Sequence, residues 1–239
     1  IDENNELNRE EDILVVLHGV LGGSETPQMK DICHYFKKEE NCFFSQIIFI
    51  QNKGINDTPL SKPKPYNAES IDEVKEAIDF IISRNKNCRL YFIGISLGSL
   101  ILTQLFLEYP NIKNVVGFVS ISNPFHLKHS YSNMGYFTSQ MLLYIMRNKI
   151  DNHPILYSKY DVIKGSSIKK LSEFDKEFTF SVHDEINCLE SYWDRTSVNN
   201  KIGNLKYFTL FINAEDDDIT ALNEVDFNQS NFFYNYSKI

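Results

Sequence analysis

An apolar run that halts at Gly-x-Ser-x-Gly and resumes as a longer apolar run constrains this chain more than any other feature. Residues 89–95 read Arg-Leu-Tyr-Phe-Ile-Gly-Ile, strand-sized and rich in aromatic and branched side chains. Residues 97–108, Leu-Gly-Ser-Leu-Ile-Leu-Thr-Gln-Leu-Phe-Leu-Glu, are helix-sized and stop ahead of Tyr109-Pro110. Only Ser96 separates the two, so the chain must turn from strand to helix within a residue or so. Gly94 and Gly98 flank that turn because glycine is small enough to let neighbouring backbone pass close by. A Ser held there has its hydroxyl pushed out over the end of a sheet, which makes Ser96 a candidate nucleophile.

Other segments supply the sheet. Ile13-Leu-Val-Val-Leu predicts a strand buried on both faces, and Thr26-Pro27 opens a helix through about Glu39 with Pro at its first position. Gln46 to Gln51 reads as the next strand, followed by a Pro-rich loop from Thr58 to Tyr66. Ser70-Ile-Asp-Glu has the form of a capping box, and Ile71, Val74, Ile78, Ile81 and Ile82 share one helical face behind it. Further strands are expected at Val115 to Ile121 and Lys206 to Asn213. Strands alternating with helices of this length predict a mostly parallel sheet covered on both faces. Residues 1–239 read as one domain, with a core of 12–123 and 198–239. The stretch 124–197, too long for one crossover helix, is expected to form a helical cap over the mouth of the sheet.

Bulk properties exclude several classes. A chain of 239 residues with 42% hydrophobic side chains can bury one large core. Its net charge of -8 argues against nucleic acid as a partner. Apolar runs are strand-sized, so no transmembrane segment is expected, while peripheral membrane contact stays open. Cys33, Cys42, Cys88 and Cys188 are scattered without a CxxC or metal spacing, which points to an intracellular, cytoplasmic setting and to no metal. No Gly-Lys-Ser/Thr and no GxGxxG occur, so no cofactor is expected.

Two more features bear on chemistry. His18-Gly-Val-Leu-Gly-Gly-Ser follows the first strand directly. Attack on a carbonyl creates an oxyanion that needs two preorganised N–H donors. Such a loop can supply one from Val20 or Leu21, and Leu97 at the helix N-terminus the other. His18 reads as a structural donor behind the loop rather than a base. The acidic turn Glu215-Asp-Asp-Asp follows the last clear strand, where an acid can orient an imidazolium; Asp217 is the first choice and Asp216 the second.

The elbow, the HG-x-x-GG loop and the Asn213-Ala-x-Asp-Asp turn together resemble α/β-hydrolases, and within them the YheT-like esterase branch. Residues 66–74, 168–179 and 191–197 fit that branch as well, so the likeness runs from about Asp12 to Thr220. The resemblance implies an α/β-hydrolase fold, hydrolysis of carboxylic esters including acyl lipids, Ser96 as nucleophile, Asp217 as triad acid, and Val20 with Leu97 as oxyanion donors. Ser99-Leu100 stands where the branch more often has Gly-Asn, and Asp218 where it has Pro. These departures touch the pocket and the acid turn.

All six histidines, at 18, 34, 126, 129, 153 and 183, precede Asp217, whereas the fold's order is Ser, Asp, His. The small N-terminal antiparallel strand pair and the C-terminal His segment are therefore expected to belong to a longer product, absence of the base being the competing explanation. Three functions follow: a serine ester hydrolase acting on acyl lipids or medium-chain esters, an acyl-binding scaffold without turnover, and an acyltransferase. The apolar helix at Tyr136 to Met146 offers Phe137, Met141, Leu142, Tyr144, Ile145 and Met146, which predicts an acyl cleft between cap and sheet.

Overall fold

The structure is a computed structural model describing residues 12–20, 22–38, 40, 42–56, 58–151, 168–179, 188–220, 222, 225 and 234–235. Its centre is a parallel sheet. Strands β1 (Asp12–Leu17), β2 (Gln46–Ile50), β3 (Arg89–Ile95), β4 (Val115–Ile121), β5 (Phe208–Ile212) and the short β6 (Tyr234–Asn235) lie in the order β2-β1-β3-β4-β5-β6. The expected strands at 12–17, 46–51 and 115–121 are present, and that at 206–213 is shorter by two residues at its start and one at its end.

Helices cover both faces, as the double burial of β1 predicts. Ile13, Val15 and Leu17 pack under α2 (Ile71–Arg84) and α3 (Leu97–Glu108), against residues such as Val74, Ile78 and Leu100. Leu14 and Val16 point the other way, onto Met29, Ile32 and Phe36 of α1 (Pro27–Lys37). Helix α3 is apolar all round, and its residues from Gly98 to Thr103 are buried. Register between β1 and β3 is pinned at their start by a bidentate ion pair. Arg89 Nε and Nη2 donate to the two carboxylate oxygens of Asp12 at 2.6 and 2.7 Å, and Asp12 and Arg89 are register partners.

One local expectation fails. Ser70 stands at the N-cap of α2 without bonding the helix. Its hydroxyl accepts the Asn67 N–H at 3.0 Å and Glu73 pairs with Lys53, so the capping box is not formed. A loop fold that satisfies the hydroxyl elsewhere outcompetes the cap.

Between β4 and β5 lie α4 (Leu127–Asn133), α5 (Tyr136–Asp151), α6 (Leu171–Phe174), a π-helical turn (Asp175–Thr179) and α7 (Leu189–Thr196). Leu143, Ile168, Leu171 and Phe174 form a small core of their own there, which takes in Leu60 from the loop after β2. Among the described residues no helix is long and apolar enough to cross a membrane.

Replacing Asp12 with Asn keeps the shape but removes the charge from the register-setting pair. Urea denaturation should show a loss of about 1–2 kcal/mol with an unchanged m-value; a loss below about 0.3 kcal/mol would mean that packing alone sets the register.

Candidate active site

Every strand is parallel, so the loops after β1, β2, β3, β4 and β5 gather at one edge of the sheet. The chain leaves β1 toward β2 on one side and later builds β3, β4 and β5 on the other. The switch in direction falls between β1 and β3, where a crevice opens beyond the strand ends. Ser96 follows β3 and the His18–Ser24 loop follows β1, so both flank that crevice.

The turn at Ser96 is as tight as the glycines predict. Ser96 has φ 52° and ψ -121°, a region sparsely populated by residues with a Cβ. The backbone around it is tied down: Ser96 N–H donates to Ile121 O at 2.8 Å, and Ser96 O accepts from Ser99 N–H at 2.9 Å and Ser99 Oγ at 2.7 Å. A Cβ at Gly98 would stand 2.4 Å from His18 O and 2.5 Å from Leu17 O; one at Gly94 would meet Ser99 Cα at 2.7 Å. Helix α3 therefore begins in direct contact with the end of β1. Among the described residues neither the Ser96 hydroxyl nor the Leu97 N–H has a hydrogen-bond partner.

The loop after β1 lies against that hydroxyl. A Cβ at Gly19 would be 3.0 Å from Ser96 Cβ and 3.6 Å from its Oγ, so the peptide carrying the Val20 N–H sits beside Ser96. That N–H is also unpartnered among the described residues. Leu21, the alternative donor, lies outside the described residues. Tyr66, which sequence patterns did not mark as functional, holds the loop: its hydroxyl donates to Gly19 O at 3.1 Å and to Val20 O. Burial pushes its phenol far above the ordinary value, so it stays a neutral donor.

His18 is buried and fully committed. Nδ1 pairs with Gly19 O at 2.7 Å and Nε2 accepts the Asn52 N–H at 3.2 Å, which makes it a neutral imidazole joining the ends of β1 and β2. The expectation of a structural role is in keeping with that geometry. His34 lies on α1, and His126 stacks on His129 at 4.2 Å next to Asp194. His153 and His183 lie outside the described residues.

At the end of β5 the acids are sorted by their bonds. Asp217 is half-buried, its Oδ1 accepting Ile219 N–H at 2.9 Å and its Oδ2 the Thr220 hydroxyl at 2.8 Å. Asp216 is exposed. Asp218 reaches across to α5, taking Gly135 N–H at 3.1 Å and Thr138 Oγ at 2.8 Å, an anion at a helix start. Behind the turn Asn213 exchanges two bonds with the Asn123 backbone, at 3.3 and 3.0 Å. The Asn123 amide in turn donates to Thr103 at 3.0 Å and Ser120 at 2.9 Å.

Ser96, Val20, Leu97, Tyr66 and Ile219 share a cavity of about 180 Å³ with Pro124, Leu127, Leu142, Met146, Leu171 and Phe174. The acyl cleft expected of the long apolar helix is thus partly corrected. Leu142 and Met146 line the cavity, but Phe137, Met141 and Tyr144 are 86%, 55% and 71% exposed on the opposite side of α5. Among the described residues no cluster of His, Cys, Asp or Glu could hold a metal.

No family model matches the chain. It is similar to medium-chain fatty acid ethyl ester synthase/esterase 2 of Saccharomyces cerevisiae, 22% identical over 251 residues that take in 92% of this chain and 55% of that protein. A monoacylglycerol lipase of the same yeast is 25% identical over 224 residues, 87% of this chain and 48% of that one. The chain spans about half the length of the curated relatives it matches. Among solved structures the Pyrococcus furiosus esterase Pf2001 aligns with a TM-score of 0.62 over 96% of this chain and 72% of that one, at 15% identity, a likeness of fold.

Two substitutions test the turn. Ser96→Gly relieves the strain at φ 52° and should raise the unfolding free energy by about 1 kcal/mol or more. Gly98→Ala drives a methyl into the end of β1 and should lower it by about 3 kcal/mol. A Ser96→Gly protein no more stable than its parent would show the turn to be unstrained.

Proposed function

We propose that this chain, which has the α/β-hydrolase fold, carries the acyl-transfer machinery of a serine ester hydrolase related to the YheT-like branch, with the β4–β5 insertion as its cap. The observation that carries the reading is Ser96: a strained side chain beside Gly19, with two unpartnered N–H groups and an apolar cavity around it. A scaffold that only bound acyl groups would gain nothing from that strain.

In the proposed reaction the Ser96 hydroxyl adds to the ester carbonyl, giving up its proton to a base. The resulting oxyanion is held by Val20 and Leu97 N–H, both fixed before reaction, the second at the positive end of α3. Collapse expels the alcohol and leaves an acyl-Ser96 ester. Water then hydrolyses it, or a second alcohol takes the acyl group. The relative named as an ester synthase/esterase favours keeping that second outcome. Asp217, held by Ile219 and Thr220, orients the imidazole that serves as base. No histidine lines the cavity among the described residues, and His18 is spent on structure.

The substrates proposed are esters with an apolar acyl group. The cavity of about 180 Å³, with Leu142, Met146, Leu171 and Phe174 in its wall, gives such a group an apolar surface to bury against. Each methylene buried adds up to about 0.8 kcal/mol.

Activity-based labelling tests the nucleophile in a longer form of the protein that supplies the histidine base: there a fluorophosphonate should modify Ser96, and Ser96→Ala should abolish modification. In that same longer form, catalytic efficiency on p-nitrophenyl esters should rise from acetate toward medium chains; a flat or falling profile would remove the acyl-pocket reading. With no histidine after Asp217, this chain should hydrolyse esters only about 10³–10⁴-fold faster than water. Turnover near 1 s⁻¹ would instead assign the base to His153 or His183.

A further inference from the structure

The Val20 N–H hangs on the most pliable kind of residue. A Cβ at Gly19 would stand 3.0 Å from Ser96 Cβ and 3.2 Å from Ile95 O, so the loop can pass this close to the Ser96 turn only with glycine there. Glycine is also the residue with the widest choice of backbone angles. The Val20 N–H belongs to the Gly19–Val20 peptide, and a planar trans peptide points its N–H opposite to its C=O. Rotation about Gly19 therefore swings the Val20 N–H, and whatever holds the Gly19 carbonyl aims it.

Three donors meet at that carbonyl: His18 Nδ1 at 2.7 Å, the Gly22 N–H at 3.0 Å and the Tyr66 hydroxyl at 3.1 Å. Two of them belong to the loop itself. Tyr66 comes from outside it, and it alone among the described hydrogen bonds reaches Val20 O as well. Its oxygen is thus shared by the carbonyls on either side of Val20, and turning either peptide breaks a bond. The loop does not depend on this hydroxyl for its fold. Ser24 N–H and Oγ both donate to Gln51 Oε1, at 3.2 and 3.0 Å. Thr26 N–H and Oγ1 both return to Gly23 O, at 3.1 and 3.0 Å. Tyr66→Phe would leave those bonds and the packing of the ring, edge-on to His18 at 5.8 Å, in place. What the hydroxyl adds is the orientation of Val20.

We propose that Tyr66 is a positioning residue for the ester reaction: it acts through the Gly19–Val20 peptide, holding the Val20 N–H where the oxyanion forms. This rests on the reading of Ser96 as nucleophile and Val20 as oxyanion donor, and it assigns control of that donor to a hydroxyl outside the loop. The oxyanion develops in the transition state and is absent from the bound ester. Loss of the hydroxyl therefore falls on kcat rather than on KM.

Two measurements test this. In the longer form that supplies a histidine base, Tyr66→Phe should lower kcat for p-nitrophenyl esters at least about 10-fold, with KM changed less than about 2-fold. On this chain, NMR reads the peptide without any turnover. A hydrogen bond at a peptide carbonyl polarises the N–H across the same bond, so the Val20 amide nitrogen resonance should move to lower frequency in Tyr66→Phe. A fluorotyrosine in place of Tyr66, whose more acidic phenol is the stronger donor, should move it to higher frequency. Leu97, the second proposed donor, shares no described hydrogen bond with Tyr66 and should keep its resonance in both. Circular dichroism reports whether each variant is folded; should Tyr66→Phe not fold, the fluorotyrosine protein decides alone. A Val20 resonance that moves no more than that of Leu97 overturns the proposal. So does a Tyr66→Phe enzyme with unchanged kcat or with a rise in KM alone, which leaves Tyr66 as a wall of the cavity. No ester turnover by the unsubstituted longer form would count against the hydrolase reading instead, and the Val20 resonance then decides whether Tyr66 aims the peptide.

Discussion

Helix α3 starts in contact with the end of β1, and the rest of the site depends on that contact. It requires a residue without a Cβ at position 98, because His18 O and Leu17 O occupy the space. It forces Ser96 to positive φ, because one residue must reverse the chain between β3 and a helix that packs so close. It also brings the helix start, with its unpartnered Leu97 N–H, alongside the loop that carries Val20. Strain, the placement of the proposed nucleophile and the spacing of the proposed oxyanion donors are three consequences of one distance. Stability given up at a single residue thereby leaves a preorganised hydroxyl.

Polar groups hold this edge of the sheet in place where apolar packing ends. His18 joins β1 to β2, Tyr66 clamps the Gly19-Val20 backbone, and Asn123 with Asn213 joins β4 to β5. Each is directional and nearly satisfied, so each fixes position more narrowly than a methyl group could. The loops after these strands need that precision because their backbones, rather than their side chains, form much of the site.

The sheet and the elbow were legible because they are local. Apolar runs at 13–17, 89–95 and 97–108 carry their period and punctuation with them, and the structure follows them closely. Tyr66 and Asn123 were not legible as residues that position the site, since what defines them is a partner far along the chain: Gly19 and Val20 for the first, Asn213 for the second. Ser70-Ile-Asp-Glu misled for the same reason, its hydroxyl and carboxylate having better partners in Asn67 and Lys53. The long apolar helix α5 was visible, but its periodicity could not tell the wall formed by Leu142 and Met146 from the outward row of Phe137, Met141 and Tyr144. Only the fold of the insertion distinguishes them.

The acid turn and the cavity wall are mechanically one unit. Asp218 bonds Gly135 N–H and the Thr138 hydroxyl at the start of α5, and Leu142 and Met146 follow one and two turns along the same helix. Asp217 is the neighbouring residue, and the Ile219 whose N–H it accepts lines the cavity itself. A shift of α5 that widened the cavity would therefore pull on the turn that orients the carboxylate. Room for a ligand and the orientation of Asp217, the proposed triad acid, are therefore coupled. This arrangement gives Asp218 a reason to be an acid: a Pro there could make neither bond, and of the described hydrogen bonds between the insertion and the turn after β5 only the long one from the Asn133 amide to the Asp218 carbonyl, at 3.5 Å, would be left.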